Sequence, residues 1–304
     1  VSGHFFFQPQ LSGRGRKTSD ADGARPVVVS VLPQIAVSQM TTYRSSFVEE
    51  VSAIAAAGLN GIGLWRTKLS AHDDETVAAV LAEFNVKPSS VSWTGGFTGS
   101  LGYSYEEALD DARDAIRQAA LWGAENLVVV AGSRNGHTVR HCRRTVKDAL
   151  AQIADDAAGR GVRLALLPLH PRFPAETTFL NGLDDALTLL DELKHPHVGL
   201  AFDAFYVCQS PGALARIPAL ASRTFVVQIN DGPDDARRHL DRRWPGQGEL
   251  PLAELVHRFI ANGYQGMFDV QVWSEDVWRL PASMVTSAAR EFAQSLARTL
   301  VRFP

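Results

Sequence analysis

The chain reads as a single (β/α)8 (TIM) barrel of the α/β class. Three observations carry that reading. Short apolar runs alternate with helix-periodic segments eight times between about residue 26 and the C-terminus. The apolar runs are near-continuous, as strands buried on both faces of a parallel sheet must be. No Gly-x-Gly-x-x-Gly opens the first helical segment, so the dinucleotide-binding open sheet, the main alternative, lacks its signature.

The first strand is expected at Val27–Leu32, followed by a helix over 47–57 that Gly58 closes. Gly61-Ile62-Gly63-Leu64-Trp65 is the second strand, with a helix over 74–84 behind it. Ser90-Val91-Ser92-Trp93 is the third strand, and it runs into Gly95-Gly96. Ser104-Tyr105-Glu106-Glu107 then makes a capping box for a helix that stops before Gly123. Residues 127–130, 162–167, 198–202, 225–229 and 266–272 supply strands four to eight. Helices over 139–158, 184–193, 213–221, 252–262 and 284–301 separate and close them.

Upstream, residues 1–25 are expected to form a flexible arm, and 26–304 the catalytic barrel. The arm is rich in Gly, Arg and Ser, and its Phe5-Phe6-Phe7 run is broken by Gln8-Pro9 before it could act as a signal core. No apolar run approaches the roughly 20 residues of a membrane span. The net charge is -3 with signs interspersed, which gives no basic stripe for nucleic acid. Two cysteines, Cys142 and Cys208, make neither a disulfide framework nor a metal pair. A cytoplasmic enzyme with a small-molecule substrate, no nucleic-acid or membrane partner and room for a homodimer is the expectation.

Chemistry in such barrels sits at the C-terminal strand ends. These ends supply Trp65, Arg66 and Lys68, then Trp93, then Arg134 and His137. They continue with His170 and Arg172, Asp203 and Tyr206, Gln228, Asn230 and Asp231, and finally Gln271 and Trp273. A polar mouth with aromatic walls suits a small oxygenated or ring-shaped molecule. Asp203 is the candidate general base, against a structural role in an ion pair with Arg243 or Lys68. His170, flanked by Pro168 and Pro171, is a candidate proton shuttle, against a structural hydrogen bond. Tyr206 is a candidate acid or oxyanion donor, against wall packing. Arg66, Lys68, Arg243, Gln228 and Gln271 are candidates to orient substrate oxygens, with Trp65, Trp93 and Trp273 as flat walls. His72, His195, His197, His239 and His257 read as surface residues, and 237–243 as a solvated loop.

The ordered set Gly61–Arg66, Pro168-Leu169-His170-Pro171, Val198–Asp203, Val227–Asp231, Arg243–Glu249 and Asn262–Val270 resembles the xylose isomerase-like barrel family. That group holds sugar isomerases and epimerases together with endonuclease IV-type enzymes. The resemblance implies a divalent metal such as Mg²⁺ or Mn²⁺, held by carboxylates, His or Gln from strands five to eight. Carried over by position, the ligands are Leu167, Asp203, Gln228 and Gln271, of which Asp203 alone is an anion. A hydrocarbon and two amides make a poor hard-cation site. The segment after Asp203 also departs from the family's Asp-Thr-Tyr-His or Asp-Thr-Phe-His. The expectation is therefore a metal-independent isomerase or lyase without cofactor, acting by proton transfer, elimination or cyclisation. Its substrate would be a carbonyl-bearing or polyhydroxylated metabolite, a natural-product intermediate being one such compound. The alternatives are a Mg²⁺- or Mn²⁺-dependent isomerase with displaced ligands, for instance His137 or His170, and a barrel that binds without turnover.

Overall fold

A computed structural model describes residues 33–100, 102–172, 177–233, 236, 238–301 and 303. Eight parallel strands close on themselves in the order β1 to β8. They are β1 Ile35–Ser38, β2 Gly61–Trp65, β3 Lys87–Gly95, β4 Asn126–Val130, β5 Arg163–Leu166, β6 Val198–Asp203, β7 Thr224–Ile229 and β8 Phe268–Val270. The helices are α1 Phe47–Ala56, α2 Arg66–Leu69, α3 Asp74–Glu83, α4 Tyr105–Leu121, α5 Val139–Gly159, α6 Leu183–Leu193, α7 Ala204–Val207, α8 Ala213–Leu220, α9 Leu252–Ala261 and α10 Ala282–Leu300.

The first strand is a correction. The run Val27–Leu32 and the N-terminal arm lie outside the described residues, and the four residues Ile35–Ser38 fill the barrel position. They pair in parallel with β2 through Ala36 and Gly61 and with β8 through Ile35 and Phe268. The other strands fall where the hydrophobic runs place them. The Ser104 capping box forms, its side chain accepting from Glu107 N and Glu107 reaching back to the Ser104 amide. Short helices α2 and α7, each one turn at a strand end, were not legible as helices.

Strand alternation splits the interior in two. Leu127, Val129, Leu164, Leu166, Leu200, Phe202, Val227, Ile229, Phe268 and Val270 face outward into the layer shared with the helices. The alternate residues Val128, Ala165, Ala201 and Val226 fill the barrel, with Trp93 and Leu167 packed above them. Continuing that alternation turns Leu167, Asp203, Gln228, Asp269 and Gln271 inward.

Asp269 is a carboxyl buried inside the barrel. It is 1% exposed, and Ser89 Oγ and Ser90 Oγ donate to its Oδ2 at 3.1 and 3.4 Å. Its Oδ1 has no partner among the described residues. Burial pushes this carboxyl up to about 7, against the lowering by the two serines. Space for it exists because residue 63 is glycine, where an added Cβ would lie 2.2 Å from Asp269 Oδ2.

Gly63→Ala is therefore expected to destabilise the barrel by about 1–3 kcal/mol through overpacking, read from urea unfolding midpoints. The pH dependence follows from the same carboxyl. Its folded-state pKa is raised above 3.8, so between about 4 and 7 the native state holds a proton that the unfolded chain releases. Stability contributed at low pH is lost as pH rises through that window. Glu50, also pushed up to about 7 by burial, acts in the same direction. Urea unfolding at pH 5 and pH 8 should show the wild type weaker at pH 8, with a smaller difference in Asp269→Asn.

Candidate functional site

The centre of the mouth is a buried ion pair. Asp203 ends β6 with its side chain 1% exposed, and its Oδ2 accepts from Arg242 Nη1 at 2.9 Å. Oδ1 accepts from the Phe205 amide at 2.9 Å and from Asn230 Nδ2 at 3.2 Å. Three of the roughly four acceptor positions of the carboxylate are thus filled. Arg242 Nη1 also donates to Gln271 O at 3.2 Å, while its Nε is buried with no partner among the described residues. The guanidinium carbon stands 5.0 Å from the Phe205 ring centroid, 4.8 Å from that of Tyr206 and 6.0 Å from that of Trp273. A cation over three aromatic faces gains quadrupole attraction where water is excluded.

The partner of Asp203 is thus Arg242, not Arg243 or Lys68. The reason is backbone alternation. Asp231 and Arg243 pair in a short antiparallel bridge, N to O at 3.1 and 2.8 Å, so neighbouring side chains point to opposite sides. Arg243 is exposed, and among the described residues its Nη1 meets Gln247 O at 3.5 Å. The loop that presents Arg242 is pinned by Asp231, whose carboxylate accepts from the amides of Gly232, Gly246 and Leu250 at 2.9, 2.9 and 3.0 Å. Gly248 is required there, since a Cβ would sit 2.1 Å from Asp231 Oδ1 and 2.5 Å from Gly232 N and O. The Pro-Gly-Gln-Gly segment is thus the clamp that delivers Arg242.

Two other cations also have structural work. Arg66 makes a two-pronged ion pair with Asp111 at 3.0 Å on each prong, and its Nε donates to Gln118 Oε1 at 2.8 Å, tying α2 to α4. Lys68 Nζ meets the buried Glu50 carboxylate and donates to Thr42 O at 2.8 Å. Gln39 completes that network, donating to Glu50 Oε2 at 2.7 Å and accepting from the Trp65 amide at 2.8 Å. Both long side chains were expected to meet substrate, but the helical turn α2 carries them into these contacts.

Tyr206, on α7, lies 6% exposed, and its hydroxyl is 2.6 Å from His239 Nδ1. Burial pushes the phenol up to about 12, so it keeps its proton, and it is the donor in this contact when His239 Nδ1 is unprotonated. His239 is half-buried, not a surface residue, and burial followed by the Arg242 charge lowers its pKa. His170 is half-exposed after β5, with its Nδ1 accepting from the Arg172 amide at 3.2 Å. Burial and then Arg172 lower its pKa. Sequence reasoning missed Arg242 and His239 because both lie in a loop read as solvated. No signal in the sequence separates Arg242 from its neighbour Arg243, since the bridge between Asp231 and Arg243 that decides between them is tertiary.

The tryptophans are where the strand ends put them. Trp65 and Trp93 stack with centroids 6.4 Å apart at 29°, and Tyr43 packs on Trp65 at 5.7 Å. Trp65 Nε1 and Trp273 Nε1 are buried without a partner among the described residues, as are Gln228 Oε1 and Gln271 Oε1. Gln271 Nε2 rests on Met40 Sδ at 2.9 Å. Among the described residues, then, the mouth holds buried unpaired acceptors on β7 and beyond β8, and buried unpaired donors on Trp65, Trp273 and Arg242.

This donor set does not fit a divalent cation. Leu167 packs in an apolar cluster with Leu169, Phe205 and Tyr206, and Asp203 is already neutralised by a guanidinium. Gln228 and Gln271 bring no charge. Among the described residues no group of three or more His, Cys, Asp or Glu is placed to hold a metal. The cysteines are free, Cys142 buried in α5 and Cys208 at the end of α7. Among the described residues no helix is long and apolar enough to cross a membrane.

Comparison with known proteins agrees with this geometry at the level of fold and family. The chain is 25% identical over 237 residues to 3-dehydroshikimate dehydratase of Pseudomonas putida, covering 75% of this chain but 36% of that protein. The chain thus spans about a third of the length of the dehydratase relatives it matches. It is 20% identical over 234 residues to inosose isomerase of Bacillus velezensis, covering 75% of this chain and 82% of that one. Among solved structures, the IolI protein with a bound zinc atom superposes with a TM-score of 0.76 at 18% identity, covering 87% of this chain and 98% of that one. The model of the xylose isomerase-like TIM barrel matches residues 51–297, and the chain belongs to that family.

Proposed function

We propose that the protein is a metal-independent isomerase or lyase that moves a proton on a small, oxygen-rich keto compound. The observation that carries this reading is the Asp203–Arg242 pair, a fixed organic cation at the centre of the mouth, ringed by unpaired polar atoms. Unpaired buried acceptors cost about 1–3 kcal/mol each until a partner arrives. Gln228 Oε1 and Gln271 Oε1 call for hydroxyl donors, while Trp65 Nε1, Trp273 Nε1 and Arg242 Nε call for carbonyl or carboxylate oxygens. A polyhydroxylated ring or chain with one carbonyl satisfies both sets. The relatives support the class, being named a dehydratase of 3-dehydroshikimate and an isomerase of inosose.

In this reading Arg242 holds the oxyanion that forms when a proton leaves the carbon beside the carbonyl, and Asp203 fixes and balances Arg242. Tyr206 and His170 are the proton-transfer groups. Gln228, Gln271, Trp65 and Trp273 orient the oxygens, and Trp93 supports the ring of Trp65. A preorganised donor aimed at developing charge accounts for about 10²–10³ in rate in well-characterised cases.

Two outcomes are expected. Purified protein, assayed with 3-dehydroshikimate and with inosose, should turn over one of them at a rate that survives exhaustive chelation. Loss of that rate on chelation, restored by Mg²⁺ or Mn²⁺, would reject metal independence. Arg242→Gln should lower kcat about 10²–10³-fold. Because it leaves Asp203 buried without its cation, it should also destabilise the fold by about 3–5 kcal/mol. Folded Arg242→Gln protein with undiminished kcat would remove the guanidinium from the mechanism.

A further inference from the structure

The buried Tyr206 hydroxyl cannot by itself act as a base. Burial keeps its proton in place, and a bare phenolate would need a compensating change nearby. That change is available at 2.6 Å, where the hydroxyl points at His239 Nδ1. The two rings stand at 82° to each other with centroids 5.7 Å apart. His239 opens the short turn His239–Asp241 in the loop after β7, half-buried, whereas Tyr206 is 6% exposed. The pair therefore links the mouth to the loop that borders it. Among the described groups, Tyr206, Arg242 and Asp203 act on His239 across the site, and Arg242 also hydrogen-bonds Tyr206. On its own turn, Arg238 and Asp241 pair with each other at 3.0 Å.

We propose that His239 is the proton acceptor behind Tyr206, so that the two side chains work as one acid–base unit. This rests on the proton-transfer reading above and extends it to a residue outside the strand ends. In the forward step the substrate C–H bond breaks and its proton forms a new bond to Tyr206 Oη. At the same time the original Tyr206 O–H bond breaks and that proton forms an N–H bond at His239 Nδ1. The electron pair released from carbon moves onto the carbonyl oxygen, opposite the Arg242 guanidinium. Running the relay in reverse returns one proton, either to carbon in an isomerisation or to a departing hydroxyl, which leaves as water. No oxidant, reductant or further reactant enters.

The relay requires His239 to be neutral before the step, with its proton on Nε2 and Nδ1 accepting. Activity should consequently rise as pH increases through the titration of His239, which lies below the ordinary value of 6.5. Ring-nitrogen NMR of the full chain labelled at histidine should show His239 with an unprotonated, hydrogen-bonded Nδ1. In Tyr206→Phe both its tautomer balance and its titration midpoint should move. An identical tautomer and midpoint in the two proteins would overturn the pair, whether or not any compound is turned over.

The catalytic arm uses His239→Gln, which still accepts a hydrogen bond from Tyr206 but cannot take its proton. With whichever of 3-dehydroshikimate or inosose the wild type converts, kcat should fall about 10²-fold. KM should stay within about twofold and the acidic limb of the pH profile should vanish, as for loss of a proton acceptor. Retention of kcat and of the acidic limb would reduce His239 to a support for Tyr206 and overturn the proposal. If the wild type converts neither compound, the substrate class of the preceding section fails, and the NMR comparison still decides the pair.

Discussion

The interaction on which the rest of the mouth depends is the ion pair between Asp203 and Arg242. Both side chains are nearly inaccessible, so the pair must bring its own solvation. It does so with the Phe205 amide and Asn230 on the carboxylate, Gln271 O on the guanidinium, and three aromatic rings around the cation. These partners come from three stretches of chain: the turn after β6, the residue after β7 and the residues after β8. The pair thus sets the relative positions of Tyr206, Gln271 and Trp273. Asp231 does the matching work one layer out, trading its charge for three loop amides so that Arg242 arrives at the right height.

The barrel was legible in the sequence because its physics is local and repetitive. The longer helices, α4, α5, α9 and α10 among them, are amphipathic, several carry caps, and the strands are apolar runs bounded by turn residues. Those signals survive without knowledge of neighbours. The first strand was misplaced because Val27–Leu32 is the longer and more β-branched run, whereas four residues beginning at Ile35 suffice when both flanking strands are supplied by the closed sheet.

The site was legible only in outline. Inward positions such as Asp203, Gln228 and Gln271 follow from period-two alternation once strand ends are known. The fate of long cations does not. Arg66, Lys68 and Arg243 reach several ångströms from their backbone, and their targets, Asp111, Glu50 and the Gln247 carbonyl, are set by tertiary packing. Between adjacent arginines, a single backbone bridge decides which one enters the mouth, and no composition or spacing distinguishes them. His239 was hidden for the same reason, since its partner Tyr206 is 33 residues away in sequence.

The packing of Leu167 has a consequence for how such a site can change. Its side chain belongs to an apolar cluster with Leu169, Phe205 and Tyr206, on the same aromatic surface that Arg242 covers. A glutamate placed there alone would add a second buried carboxylate beside a cation already shared with Asp203, and it would strip hydrocarbon from the wall behind Tyr206. A glutamate at 271 alone would lose the contact to Met40 and face the same shortage of positive charge. Each such substitution is unfavourable until the others are in place and Arg242 has left. Charge, hydrocarbon packing and the Arg242 clamp in this mouth are thus coupled, and none of them can be exchanged one residue at a time.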